Sequence, residues 1–233
     1  VSPVTIDEWD SLRNSGVYAV IDNVASELDV AEMDLADDMG DDLHSDGSGG
    51  GGGAINGLVD AIDDSTNTST YGGISYSSTT DDPGQAIKAN VDSTGGAFSL
   101  ALVGSEFTNA TVGPEKPDLI VTTPSIWDSF EARVQPAQRY VQDGRNFKDL
   151  ADIGFQTLNY RGAAVVADSK VPSQVIWGIN SKYFKFVTHR ARDYVFRGWF
   201  PIHNQDAMTG QFLAATNLIC QAPRLQFKVE SVT

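Results

Sequence analysis

Val17, Val20, Ile21, Val24, Leu28, Ala31, Leu35 and Met39 recur at steps of mostly three and four residues, the spacing that lines up one face of an α-helix. No proline falls between positions 10 and 45, so the pattern predicts one long helix over 10–45. Unbroken, it would run about 50 Å, more than a compact domain of this size needs to cross its own core, and it reads as a strut. Its other face carries Asp22, Glu27, Asp29, Glu32, Asp34, Asp37, Asp38, Asp41 and Asp42, and no Lys or Arg occurs between Arg13 and Lys88. Asp37, Asp38, Asp41 and Asp42 crowd the last turns, where the helix dipole disfavours carboxylates. A compensating charge from outside the helix is therefore expected. Gly16 and Gly40 are candidate bends.

The remaining pattern alternates strands with shorter helices. Residues 1–6 alternate apolar with polar and contain Pro3, which predicts an edge strand, and 7–11 supply turn and capping residues. Gly49 to Gly53 form a flexible connection, 54–62 a brief apolar element around Leu58, and 63–96 a long surface excursion rich in Ser, Thr, Asp, Asn and Gly. Phe98, Leu100, Leu102, Val103 and Phe107 predict a helix ended by Gly113 and Pro114. Leu119 to Val121 read as a buried strand. Thr123 then caps a helix that begins with Pro124 and turns Ile126, Trp127, Phe130 and Val134 inward. A projecting loop is expected over 135–151. Strands are predicted at 155–160, 163–167 and 175–179, at 183–189 and 195–200 as a pairing couple, and at 212–220 and 225–232 with Pro223 at the corner between them.

Charge sharpens this picture. The 233 residues carry a formal net charge of −15, which argues against a protein that wraps nucleic acid or lies on a membrane surface. Residues 1–116 hold 21 acids and 3 bases, residues 117–233 hold 10 acids and 13 bases, so one half can dock on the other half of a neighbouring copy. Aspartate outnumbers glutamate and lysine is scarce, a balance shared by a plain solvated acidic surface and by proteins that stay soluble in strong salt. Cys220 is the single cysteine, which excludes an intrachain disulfide and fits a reducing compartment. No run of eighteen apolar residues is present and no signal leader opens the chain. Val1 in place of Met predicts a start inside a longer parent.

Catalytic patterns are weak. Gly47, Gly49 and Gly52 satisfy G-x-G-x-x-G formally, but the run follows a helix and leads into none, so it lacks the context that aims N–H groups at a phosphate. Asp38, Asp41, Asp42 and Asp46 lack the ligand alternation of a calcium loop, and diffuse counter-ion binding fits them better. His44, His189 and His203 are scattered without zinc spacing and read as surface or interface residues. Cys220 sits in an apolar stretch as a small core residue, and Asn67 and Asn109 open chance matches to the glycosylation acceptor pattern. No nucleophile, base and orienter come together, so no catalytic residue, cofactor or metal site is assigned, which points to a structural protein.

Lys116-Pro117-Asp118-Leu119-Ile120-Val121-Thr122-Thr123-Pro124 with Ile126-Trp127 resembles a signature stretch of major capsid proteins of tailed double-stranded DNA viruses with the Hong Kong 97-type fold. So do Gly154-Phe155, Leu158, Tyr160-Arg161-Gly162-Ala163, Val165-Val166, Asp168, Asn180-Ser181-Lys182-Tyr183, Gln205-Asp206-Ala207 and Asn217-Leu218-Ile219-Cys220-Gln221-Ala222-Pro223-Arg224. In the first half, Asp46-Gly47-Ser48-Gly49 and Ile55-Asn56-Gly57-Leu58 follow the long helix in the same layout. The resemblance implies an α+β fold with a long spine helix, a peripheral (P) domain sheet and an axial (A) domain mixed sheet with flanking helices. It implies the end of an extended E-loop at 1–9, spine helix and P domain at 10–57, A domain at 58–182, P-domain strands at 183–222 and a return to the A domain at 223–233. An N-terminal arm, the outgoing half of the E-loop and any scaffolding segment would precede Val1. Covalent cross-linking does not carry over.

The function this resemblance implies is a non-enzymatic subunit that self-assembles into hexamers and pentamers of an icosahedral shell around packaged double-stranded DNA. It would reside in the virion capsid after assembly in the host cytoplasm, with cement, scaffolding, portal and protease proteins as further partners and no membrane. Arg139, Tyr140, Asp143 and Arg145 would then make ring contacts at the capsomer axis, and Asp37 and Asp41 would face basic groups or counter-ions from a neighbour. The rival of the same fold is a bacterial nanocompartment shell, an encapsulin, enclosing an enzyme. Rivals from other classes are a small-molecule enzyme, which needs a convergent polar cluster, and an acidic adhesin or decoration protein, which would stay monomeric.

Overall fold

The computed structural model describes residues 2–7, 9, 12, 23–47, 54–66, 70–76, 88–134 and 158–233. The expected helix before Asn23 apart from Leu12, the glycine run 49–53, Asn67, Phe155 and the whole loop 135–151 with Arg139, Tyr140, Asp143 and Arg145 lie outside them. Strand β1 (Ser2–Asp7) leads to helix α1 (Asn23–Leu43), and a short helix α2 (Leu58–Ala61) precedes the small hairpin β2 (Thr70–Tyr71) and β3 (Ile74–Ser75). Next come β4 (Asn90–Asp92), α3 (Leu100–Asn109), β5 (Leu119–Thr122), α4 (Pro124–Val134), β6 (Leu158–Tyr160), β7 (Ala163–Ala167) and β8 (Ile176–Ile179). A 3-10 turn (Ser181–Tyr183) enters β9 (Phe184–Thr188), followed by β10 (Val195–Pro201), β11 (Ala207–Leu213), β12 (Thr216–Cys220) and β13 (Phe227–Val229).

The centre is a six-stranded mixed sheet in the order β4-β13-β8-β5-β7-β6. The β5–β7 and β13–β4 pairs are parallel and the others antiparallel. Both faces are covered, which is why β5, β7 and β8 are near-continuous apolar runs instead of alternating ones. On one face Ile120, Val165, Ile176, Phe227 and Val229 pack with Val103 and Phe107 of α3 and Ile126 and Phe130 of α4. On the other, Trp177 and Ile179 pack with Ile55, Leu58, Ile62 and Ala89, with Leu218 and Cys220 of β12, and with Met39 and Leu43 at the end of α1. That second cluster joins the strut to the sheet.

Local chemistry explains the boundaries. Ser99 caps α3 by accepting the Leu102 N–H at 3.2 Å, one of the four donors a helix start leaves unpaired. Pro124 opens α4, where its missing N–H costs nothing, and the Thr123 carbonyl accepts from Trp127 at 2.9 Å. The Arg161-Gly162 pair is the two-residue turn between β6 and β7, with φ of 52° and 88°, the left-handed pairing that suits the strand twist. From that turn Arg161 reaches the carbonyl of Gly104 at 2.9 Å and the Tyr160 hydroxyl donates to the carbonyl of Leu100 at 2.9 Å, tying α3 down.

Two thinner layers stand beside this body. β1, β11 and β10 form a three-stranded antiparallel sheet with β1 at its edge, as its Pro3 predicts, and β12 and β9 form a two-stranded ribbon. Helix α1 lies along β1 and β11, burying Ala31 and Leu35.

Four expectations need correction. The strands at 183–189 and 195–200 do not pair with each other: β9 takes β12 and β10 takes β11. The stretch 212–220 is two strands in two sheets, broken at 214–215. The excursion 63–96 is not all surface, because β4 adds to the central sheet and Asp63, Tyr76 and Ala89 are buried. His44 is buried rather than at the surface.

Candidate functional site

The groups with most chemistry to settle collect where α1 ends. Lys170, in the β7–β8 connection, places its Nζ 2.7 Å from Asp37 Oδ2 and 2.9 Å from Asp41 Oδ1. These two hydrogen-bonded carboxylates hold the ammonium pKa above its usual value. No base lies in the last turn of the helix itself, so a cation from 130 residues downstream supplies the charge that the dipole and the crowded acids require. Asp37 and Asp41 remain mostly exposed beyond that contact.

One residue past the helix, the buried His44 sets Nε2 3.1 Å from Asp168 Oδ2. Burial pushes the Asp168 carboxyl upward, but the Lys170 N–H at 2.9 Å, the His44 contact and the nearby charges of His44 and Lys170 outweigh it, leaving the pKa below the usual carboxylate value. Gly57 runs so close beneath this helix end that a Cβ there would sit 2.4 to 2.6 Å from the carbonyl oxygens of Ser45, Asp42 and Leu43. The glycine is required by this approach, which closes the helix terminus against the start of α2.

The strut therefore has a fixed end and an open side. Along the open side Val30 and Met33 are exposed among Glu27, Asp29, Asp34 and Asp38. Across the ribbon and the three-stranded sheet Phe186, Val187, Tyr194, Val195, Phe200, Met208 and Ile219 are exposed as well. A two-stranded ribbon is marginal alone in water, and these side chains leave part of its apolar surface open. The three-stranded sheet holds its shape by aromatic contacts and a bulge. Phe196 packs on Trp199 and Phe212 at centroid distances of 5.3 and 5.0 Å, and Gly198 takes a φ of 58° where the β10 register shifts.

Of the residues singled out from the sequence, Asp37 and Asp41 come together, on a cation of their own chain. Lys170, Asp168 and Tyr194 carry this region and were not singled out for it, since nothing local in the sequence connects positions so far apart. His189 and His203 are exposed, and Asn109, at the end of α3, bonds Glu106 at 3.2 Å. Burial raises the Cys220 thiol to about 12, so it is a protonated core group. Among the described residues no group of three or more His, Cys, Asp or Glu is arranged to hold a metal ion, and no helix is long and apolar enough to cross a membrane.

A long helix on a small sheet, a mixed sheet with helices on its face and a two-stranded ribbon make up a fold shared with solved shell proteins. The subunit of the cyanophage A-1(L) capsid shares it with a TM-score of 0.73 at 15% identity, over 99% of this chain and 76% of that one. The holo-SrpI encapsulin of Synechococcus elongatus is similar at a TM-score of 0.59 and 12% identity, over 99% and 72%. A chain of the satellite phage P4 procapsid, whose structure includes the size determination protein Sid, is similar at 0.53 and 11%, over 100% and 71%. The capsid fold implied by the sequence resemblance is thus the fold of this chain. No protein-family model and no curated protein matches the sequence.

Proposed function

We propose that this chain is a major capsid protein, a non-enzymatic tile that closes with its own copies into hexamers and pentamers of an icosahedral shell around double-stranded DNA. The observation that carries the reading is the likeness to the cyanophage capsid subunit over 99% of the chain, greater than that to the encapsulin. The thin layers and their exposed apolar residues support it, because such area gains by burial against other chains. A closed shell needs one surface to satisfy similar neighbours repeatedly. On this reading β1 is the end of the E-loop, the sheet of β1, β11 and β10 with α1 is the P domain, and the six-stranded sheet is the A domain. Arg139, Tyr140, Asp143 and Arg145 make ring contacts at the capsomer axis, the exposed faces of Asp37 and Asp41 border a neighbour, and scaffolding, protease, portal and cement proteins are partners of assembly.

Expression of the full-length protein followed by gradient sedimentation tests this. Fast-sedimenting uniform particles support it, and a species that stays monomeric at every protein concentration refutes it. Particles that retain a protein cargo in place of DNA favour the nanocompartment reading.

A further inference from the structure

The two flanks of α1 carry different partners. At 3.6 residues per turn, Glu27, Asp34 and Asp38 fall on one side of the buried Ala31–Leu35 stripe and Met39 on the other, about 120° away around the axis. Met39 is held by the turn after β9, where the Tyr194 hydroxyl lies 3.1 Å from its sulfur. That turn and its flanks are basic: Lys185, Arg190, Arg192 and Arg197 against Asp193 alone, all exposed. Lys185, Arg190 and Arg192 have no ion-pair partner among the described residues, and neither do Glu27, Asp34 and Asp38. The basic turn therefore meets the Met39 flank of its own helix, and the acids of the same chain point about 120° away from that flank.

From this geometry we propose that the acidic flank of α1 docks on the basic β9–β10 turn of a second copy of the chain. The inference rests on the shell-forming reading and names the surfaces it uses. Opposite charges on two different flanks make a head-to-tail contact, the kind that generates a ring when its rotation closes. Exposed apolar residues accompany both surfaces, Val30 beside the acids, Tyr194 and Val195 beside the bases, so charge sets the register while apolar area supplies adhesion. Lys170 takes Asp37 and Asp41 at the fixed end and leaves Glu27, Asp34 and Asp38 for the neighbour.

Charge exchange tests the contact. One variant carries Arg190→Glu and Arg192→Glu, the other Asp34→Lys and Asp38→Lys. All four positions are exposed, and an unchanged far-ultraviolet dichroism spectrum and melting temperature of the unassembled protein establish that each variant folds. At low salt each variant alone should lose at least tenfold in the fraction of protein sedimenting as particles or capsomers. An equimolar mixture, in which the two variants alternate and each reversed surface meets a complementary one, should recover six-membered capsomers, and a single chain bearing all four substitutions should recover full assembly. Retained assembly by either folded variant alone, or a mixture that fails to recover, overturns the docking while leaving the shell reading standing; the first is also what an acidic flank serving a separate basic protein would give. A wild-type chain that never assembles overturns both.

Discussion

Gly178 and Phe227 face each other directly across the β8–β13 pair, and the phenyl ring occupies the space a side chain at 178 would need. A Cβ on Gly178 would lie 1.8 to 2.2 Å from three ring carbons, well inside contact distance. The ring cannot retreat, because Phe227 is fully buried and packs edge-on against Phe107 at 6.3 Å. Gly178→Ala should therefore cost about 1–3 kcal/mol by overpacking. Phe227→Ala should cost about 3–5 kcal/mol for the lost transfer energy and the cavity. In the double variant the new methyl enters the space the ring has left, so Gly178→Ala should cost almost nothing there, giving a coupling of roughly 1–3 kcal/mol. Urea unfolding followed by tryptophan fluorescence measures all four corners, at protein concentrations low enough that assembly adds no stability. Costs that add to within about 0.5 kcal/mol would refute the ring-in-glycine packing and the sheet register behind it.

Three further outcomes follow from single groups. Asp168 is held below its usual pKa in the folded state, so its contribution is present above about pH 4 and disappears as pH falls through the folded value; Asp168→Asn should flatten the acid limb of melting temperature against pH and lower the neutral plateau, and an unchanged limb would count against the His44–Asp168–Lys170 cluster. Ser99→Ala removes the α3 cap and should cost about 0.5–2 kcal/mol by thermal unfolding, with Ser99→Asp close to wild type. With a thiol near 12, Cys220 should resist iodoacetamide at pH 8 in the native chain and react promptly in denaturant; rapid native labelling would mean the second cluster is open.

Legibility in the sequence followed the range of the interactions. The stripe from Val24 to Met39 reports a helix because its signal lies within a few turns, and the Thr123-Pro124 start of α4 and the Arg161-Gly162 turn are equally local. β4 was hidden because Asn90 and Asp92 are polar and follow a long polar stretch; it is an edge strand whose place depends on pairing with β13 more than 130 residues later. The partners of β9 and β10 were misread since both alternate well, and alternation identifies a strand without naming its neighbour. Ala214 and Ala215 contain no turn signal, so the break between β11 and β12 was invisible. The need for a cation at the end of α1 was readable from its crowded acids, whereas its source, Lys170, is one lysine among several until the fold brings β7 to the helix.

The claim that most depends on measurement is that these thin layers are completed by other copies of the same chain. Electron microscopy of the full-length protein after expression tests it directly. Hollow particles of uniform diameter, built from five- and six-membered rings, are the expected result. A monodisperse monomer at high concentration, in both low and high salt, would contradict it.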